Sequence, residues 1–295
     1  MIARTVKSSD VSLAVLERGP SGAPVIILVH GYPDSQRVWT HVAEVLAARF
    51  RVVTYDVRGA GGSSAPASVG RYALPVLARD LEAVIDAVSP GAPVHVVGHD
   101  WGSIQTWESV TDPAIAAKLR SFTSISGPCL DHVGHWLRSR PRAWPVVNQL
   151  MRSWYIAAMH GAAAASSLWG ALVAQAIPGA LPEAARDPEL ERTRRADAQN
   201  GMRLYLANIG PRLAAPRMRT TDLPVQLVVP TDDPYVTPAL VENVGQFAST
   251  LFRRDVTGGH WGAFAGPART AGWITDLVDY VEGTRSYPAL DRFRA

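Results

Sequence analysis

Cysteine is almost absent: Cys129 is the single one in 295 residues. An intramolecular disulfide is therefore impossible, a cysteine-built zinc centre is excluded, and a reducing compartment, the cytoplasm, is expected. Lysine is nearly absent too. Lys7 and Lys118 are the two, and the remaining 27 of 29 basic residues are arginine. They are scattered, apart from short pairs such as Arg194-Arg195 and Arg253-Arg254, and the net charge is only +3. A nucleic-acid surface needs a dense basic stripe, so no nucleic-acid partner is expected. No uncharged apolar run reaches the roughly 18 residues of a membrane span. The nearest candidate, Ile156 to Pro178, contains His160, Ser166, Ser167 and Gln175 and reads as a buried helix pair. The opening MIARTVKSSD has no apolar h-region, so no secretory signal is expected. No dinucleotide fingerprint occurs. Arg58-Gly59-Ala60-Gly61-Gly62-Ser63 has glycines at other spacings.

What is present suits a large core. Apolar residues make up 47% and charged residues 19%, too few charges for a disordered chain. Val11 to Leu16 reads as an early antiparallel strand. Val25 to Val29 is wholly apolar, as in strands buried on both faces. Further strands are read at Arg51 to Asp56, Val94 to Gly98, Ser121 to Ser126, Val225 to Val229 and Phe252 to Val256. Helical spacing runs over Val38 to Ala48, Leu74 to Val88, Trp101 to Val110 and Trp273 to Val281. Pro75 falls in a first turn, where a missing N–H costs little. Alternating strands and helices predict an α/β fold, a mostly parallel sheet with helices on both faces. From 127 to 221 the alternation stops, leaving helix-prone runs with Trp136, Trp144, Trp154 and Trp169. This stretch is read as a helical lid inserted into a core formed by 1–126 and 222–283, with 284–295 a loose tail.

The chemistry centres on Gly98-His99-Asp100-Trp101-Gly102, a glycine-flanked turn between a strand and a helix. In that setting Gly-x-nucleophile-x-Gly is a nucleophile elbow. The tip is Asp100. A carboxylate, with an ordinary pKa of roughly 4, needs no base to act as a nucleophile. It can displace a leaving group at saturated carbon and form an alkyl ester, which water then cleaves at the carboxyl carbon. The plain alternative for Asp100 is a helix N-cap. The second step needs a base, and Gly258-Gly259-His260-Trp261-Gly262 supplies His260. His132, His135 and His160 read as ordinary lid residues. Thr231-Asp232-Asp233-Pro234-Tyr235-Val236 follows the strand ending at Val229 and supplies the acid that orients His260, with Asp233 favoured and Asp232 the alternative. The oxyanion hole is expected from the N–H of Trp101 and, in the loop His30-Gly31-Tyr32-Pro33, the N–H of Tyr32.

Together these motifs resemble the epoxide hydrolase branch of the α/β-hydrolase family, over most of the chain. The resemblance implies an α/β-hydrolase fold and the opening of a small lipophilic epoxide to a diol by water. It implies no metal and no organic cofactor. In that family two lid tyrosines hydrogen-bond to the epoxide oxygen. Ser153-Trp154-Tyr155-Ile156 and Gly201-Met202-Arg203-Leu204-Tyr205 resemble the segments that hold them, which points to Tyr155 and Tyr205. Ala157, Ala158, Met159 and His160 stand where the family usually has bulkier residues and a glutamine, implying a roomier pocket. Haloalkane dehalogenases share the elbow but need an Asn or a second Trp as an anion cradle, and Tyr32 occupies the usual Asn place. A silent lidded receptor for an apolar ligand is the alternative from another class. The chain also resembles hydrolase portions fused to short-chain reductases in actinobacteria. The Arg58 to Ser63 stretch reads as a loop at the rim of the site. Oligomeric state stays open, a homodimer included.

Overall fold

A computed structural model of the chain describes residues 1–139, 143–161, 166–176, 181–284 and 294. Eight strands form one sheet: β1 (Ile2–Ser8), β2 (Val11–Arg18), β3 (Val25–Val29), β4 (Arg51–Tyr55), β5 (Val94–His99), β6 (Leu119–Ile125), β7 (Val225–Pro230) and β8 (Leu251–Val256). Their order is β1-β2-β4-β3-β5-β6-β7-β8. β1 pairs antiparallel with β2, and β2 with β4; from β4 to β8 every pairing is parallel. β1 is absent from the sequence reading. It is an edge strand with Val6 and Ser8 as its buried side chains, so it carries little apolar alternation.

The helices are α1 (Thr40–Leu46), α2 (Leu74–Val88), α3 (Trp101–Val110), α4 (Pro113–Ala116), α5 (Leu130–Ser139), α6 (Trp144–Arg152), α7 (Trp154–Gly161), α8 (Ser166–Ala176), α9 (Pro188–Ala214) and α10 (Pro267–Val281). Successive side chains of a strand point to opposite faces, and β3 shows both. Ile27 and Val29 pack with Leu81, Val84 and Trp107 of α2 and α3. Ile26 and Leu28 pack with Val42, Leu46, Ile274 and Val278 of α1 and α10. Hence the run is apolar throughout.

Among the described residues five helices, α5 to α9, come between β6 and β7 in the chain, and none of the elements between 127 and 221 is a strand. Arg212 of α9 donates to both Asp131 of α5 and Glu108 of α3, and Arg219 also donates to Glu108. This buried ion network ties both ends of the helical stretch to α3. One expectation fails here. α7 and α8 are not a buried pair: Met159 is the buried residue of α7, and Trp154, Leu168 and Leu172 face solvent. The helices fold over a cavity instead of into a core. Of the expected tail, only residues 284 and 294 are described; Arg294 bridges to Phe252.

Candidate active site

The bend after β5 places Asp100 at φ +50°, ψ −122°, between strand and α3. A non-glycine residue held there is strained. The packing leaves its neighbours no room for a side chain. A Cβ on Gly102 would lie 2.1 Å from the Val29 carbonyl oxygen, and one on Gly98 2.5 Å from Cα of Ser103. Gly127, which sequence reading did not single out, is held likewise, 2.2 Å from the Asp100 carbonyl oxygen. A Cβ on Gly31 would meet the Asp100 side chain itself, 2.6 Å from Oδ2.

The structure brings Asp100, His260 and Asp233 together. Nδ1 of His260 lies 2.8 Å from Oδ2 of Asp233, and Nε2 lies 3.5 Å from Oδ1 of Asp100. The other oxygen of Asp233 accepts from the amides of Tyr235 and Val236 at 2.8 and 3.0 Å. Asp232 is exposed and faces Thr231 and Gly258 instead. Burial opposes charge on His260, but the Asp233 and Asp100 carboxylates outweigh it and push its pKa up to about 10. Burial also raises Asp233, and the His260 charge with its hydrogen bond reverses this, leaving it below the usual carboxylate range. The ring of His99, held near pKa 4 chiefly by burial, donates to the His260 carbonyl oxygen at 2.9 Å. His30 receives the Val57 amide on Nε2, so its Nδ1 carries the proton and donates to Gly31.

The amide of Tyr32 donates to Oδ2 of Asp100 at 2.7 Å. Trp101 opens α3 directly after Asp100, and among the described residues its amide makes no hydrogen bond to that oxygen. The Tyr32 hydroxyl accepts from Nε1 of Trp169 and donates to the Ala198 carbonyl, so this loop is fastened to α8 and α9. Gly201 lets the Tyr32 ring pass, since a Cβ there would lie 2.4 Å from it. Ala198, Gly201 and Tyr205 recur at helical spacing and share that face of α9.

Tyr155 and Tyr205 both reach the cavity above Asp100. Their ring centroids are 6.1 Å apart, and Tyr205 packs edge-on against Trp101 at 4.8 Å. Burial, with the Asp100 charge adding to it, raises both phenols and keeps them protonated. Pro33 also lines the cavity. A chamber of about 780 Å³ and a second of about 390 Å³ share Asp100, Trp154, Tyr155, Tyr205 and Tyr235, so the carboxylate sits where two apolar spaces meet. The Arg58 to Ser63 loop does not line either chamber. Arg58 is bound by Asp80, and the loop supports α9 through Gly61 and Asn200.

Sequence reading missed three further residues. Asp34 is buried, accepts from Nε1 of Trp261 at 2.9 Å, and is pushed up to about 6 by burial. Tyr235 sets its ring 5.1 Å from His260. Buried Gln149 of α6 binds the Tyr235 carbonyl and Thr237, linking the lid to the Asp233 loop. Asp34 and Tyr235 adjoin recognised motifs, but only tertiary contacts show what they touch. Among the described residues no cluster of three or more His, Cys, Asp or Glu is arranged to hold a metal ion.

A family model described as "alpha/beta hydrolase fold" matches residues 24–267. "Probable oxidoreductase EphD" of Mycobacterium tuberculosis is 35% identical over 308 aligned positions, which cover 99% of this chain and 52% of that protein. The chain thus spans about half the length of this relative. "Epoxide hydrolase A" of the same organism is 38% identical over 152 positions, 51% of this chain and 43% of that protein. A solved Bacillus megaterium epoxide hydrolase superposes with a TM-score of 0.79 at 18% identity, covering 94% of this chain and 100% of that one. An epoxide hydrolase of Vigna radiata gives 0.70 at 19% identity, covering 95% and 98%. At those identities the likeness is one of fold.

Proposed function

The chain belongs to the alpha/beta hydrolase fold family, and from that premise we propose that it opens lipophilic epoxides to diols through an ester on Asp100. One observation carries this reading: a carboxylate at the elbow faces two protonated phenols across an apolar cavity. Oδ1 of Asp100 attacks an epoxide carbon, and the ring C–O bond breaks. An alkoxide is a very poor leaving group, so Tyr155 and Tyr205 hold the oxygen and one gives it a proton. The tyrosinate formed is reprotonated by the His260 imidazolium, whose pKa falls once the ester cancels the Asp100 charge.

Neutral His260 then takes a proton from water, and hydroxide adds to the Asp100 carboxyl carbon. Negative charge collects on Oδ2, where the Tyr32 amide already points. The Trp101 amide is assigned as the second donor. Collapse releases the diol and restores the imidazolium between its two carboxylates. The core of 1–126 and 222–283 holds the triad, and the lid of 127–221 supplies the phenols. The contact between Asp233 and His260 supports an orienting role for Asp233. We place the reaction in the cytoplasm, as the single cysteine suggests.

Displacement of halide would need free N–H groups in the cavity. Two of the indoles lining the large chamber are committed, Trp169 to Tyr32 and Trp261 to Asp34. Assaying purified protein against aryl and alkyl epoxides alongside chloro- and bromoalkanes tests the reading. Diol from epoxides without halide release is expected; halide release alone, or binding without turnover, rejects it.

A further inference from the structure

An ordinary surface helix turns its apolar stripe inward. α6 does the reverse. Its inward residues are Val146 and Gln149, while Trp144, Val147, Leu150 and Met151 face solvent. Trp154, which opens α7, is exposed as well; it and Trp144 are both 68% exposed. On α8, Leu168 and Leu172 are exposed four residues apart, on one face. Members or neighbours of both sets of residues line the large chamber: Met151 and Trp154 from α6 and α7, Trp169 and Val173 from α8.

The charge on this part of the chain is one-sided. Between Asp131 and Glu183 the sequence has no aspartate or glutamate, and its charged residues are Arg138, Arg140, Arg142 and Arg152. Arg138 and Arg152 are exposed. Asp232 and Asp233, from outside this stretch, line a groove shared with Trp144 and Arg152.

We propose that the outer face of α6, α7 and α8 docks on an anionic lipid surface, delivering apolar substrates from the lipid into the chamber. Clusters of exposed apolar side chains mark contact surfaces. Tryptophan rings suit the boundary between headgroups and acyl chains, and arginines beside them meet lipid phosphates. A second copy fits the face less well. A two-fold contact would bring its arginines together with no carboxylate of α6 to α8 to pair them. No helix among the described residues is long and apolar enough to cross a membrane, so the contact is peripheral.

The test is co-sedimentation with vesicles of phosphatidylglycerol and phosphatidylcholine in equal parts, against vesicles of phosphatidylcholine alone. The wild type is expected to pellet with the anionic vesicles at least about tenfold more strongly, an advantage lost in high salt. The triple variant Trp144→Glu, Leu168→Glu, Leu172→Glu is expected to stay in solution with an unchanged melting temperature. Quenching of wild-type tryptophan emission by brominated lipids needs no variant and is expected too. Failure of the wild type to bind, absence of quenching, or undiminished binding by a folded triple variant overturns the proposal. So does a concentration-dependent dimer that the triple variant abolishes. None of these readouts uses turnover, so the proposal stands or falls apart from the assignment of the reaction.

Discussion

The Tyr32 amide holds Oδ2 of Asp100 at 2.7 Å and leaves Oδ1 to the side of His260. The two oxygens of one carboxylate are thus distinguished before substrate arrives: under the proposed reaction Oδ1, beside His260, attacks, and Oδ2, bound by the Tyr32 amide, becomes the oxyanion. Gly31 makes the approach feasible, because a Cβ there would lie 2.5 Å from Cβ of Asp100. Gly31→Ala is expected to lower kcat by about 10²–10³-fold, the range for a lost oxyanion donor. A melting curve alongside the steady-state assay separates this from unfolding, and near-normal kcat would reject the arrangement.

Tyr155 and Tyr205 are assigned to ring opening, not to ester cleavage. Replacing either with Phe should slow formation of the ester, and the double variant should lose about 10²–10⁴-fold, the range for a general acid. Rapid-quench measurement of the ester against diol release distinguishes the steps. Slowed ester cleavage with normal ester formation would contradict the assignment.

The neighbouring acids make a paired control. Asp233 touches His260, whereas Asp232 is exposed and turned toward Gly258. Asp233→Asn should leave the ester standing and cut turnover by about 10³-fold or more, because the imidazole loses its orienting partner. Asp232→Asn should stay within about twofold, the usual outcome at an exposed position. A reversed order would move the acid to Asp232.

Asp197 on α9 accepts from the Gly61 amide, and burial pushes its pKa from 3.8 to about 7. A carboxyl with a raised native pKa binds its proton more tightly folded than unfolded. Its contribution therefore favours folding while protonated and is lost as pH rises from about 4 to about 7. Asp34, raised to about 6, works in the same direction. Asp197→Asn should therefore lose less melting temperature than the wild type between pH 5 and pH 8. An equal or steeper fall in the variant would show that Asp197 is not the group responsible.

Much of the fold and of the candidate site is legible because the residues there obey local rules. β3 reads from its uniform apolarity, α2 from Pro75 in its first turn, and the elbow from Gly98 and Gly102, whose missing side chains the packing requires. β1 escaped because an exposed edge strand has no core pattern to show. The choice between Asp232 and Asp233 rested on adjacency alone, and only the fold turns one of them toward His260. Apolar residues from Ile156 onward suggested burial. Whether such a residue faces a core, a cavity or solvent depends on what packs beside it, and α7 and α8 border a cavity. Gln149 and Asp34 act through partners 86 and 227 positions away, which no local pattern encodes.

The central claim is that Asp100 becomes bonded to carbon. His260→Gln mixed with an aryl epoxide should trap the ester, and the intact mass should rise by the full mass of the epoxide, with the label on the peptide containing Asp100. No mass increase, or the same increase in an Asp100→Asn variant, would contradict the account.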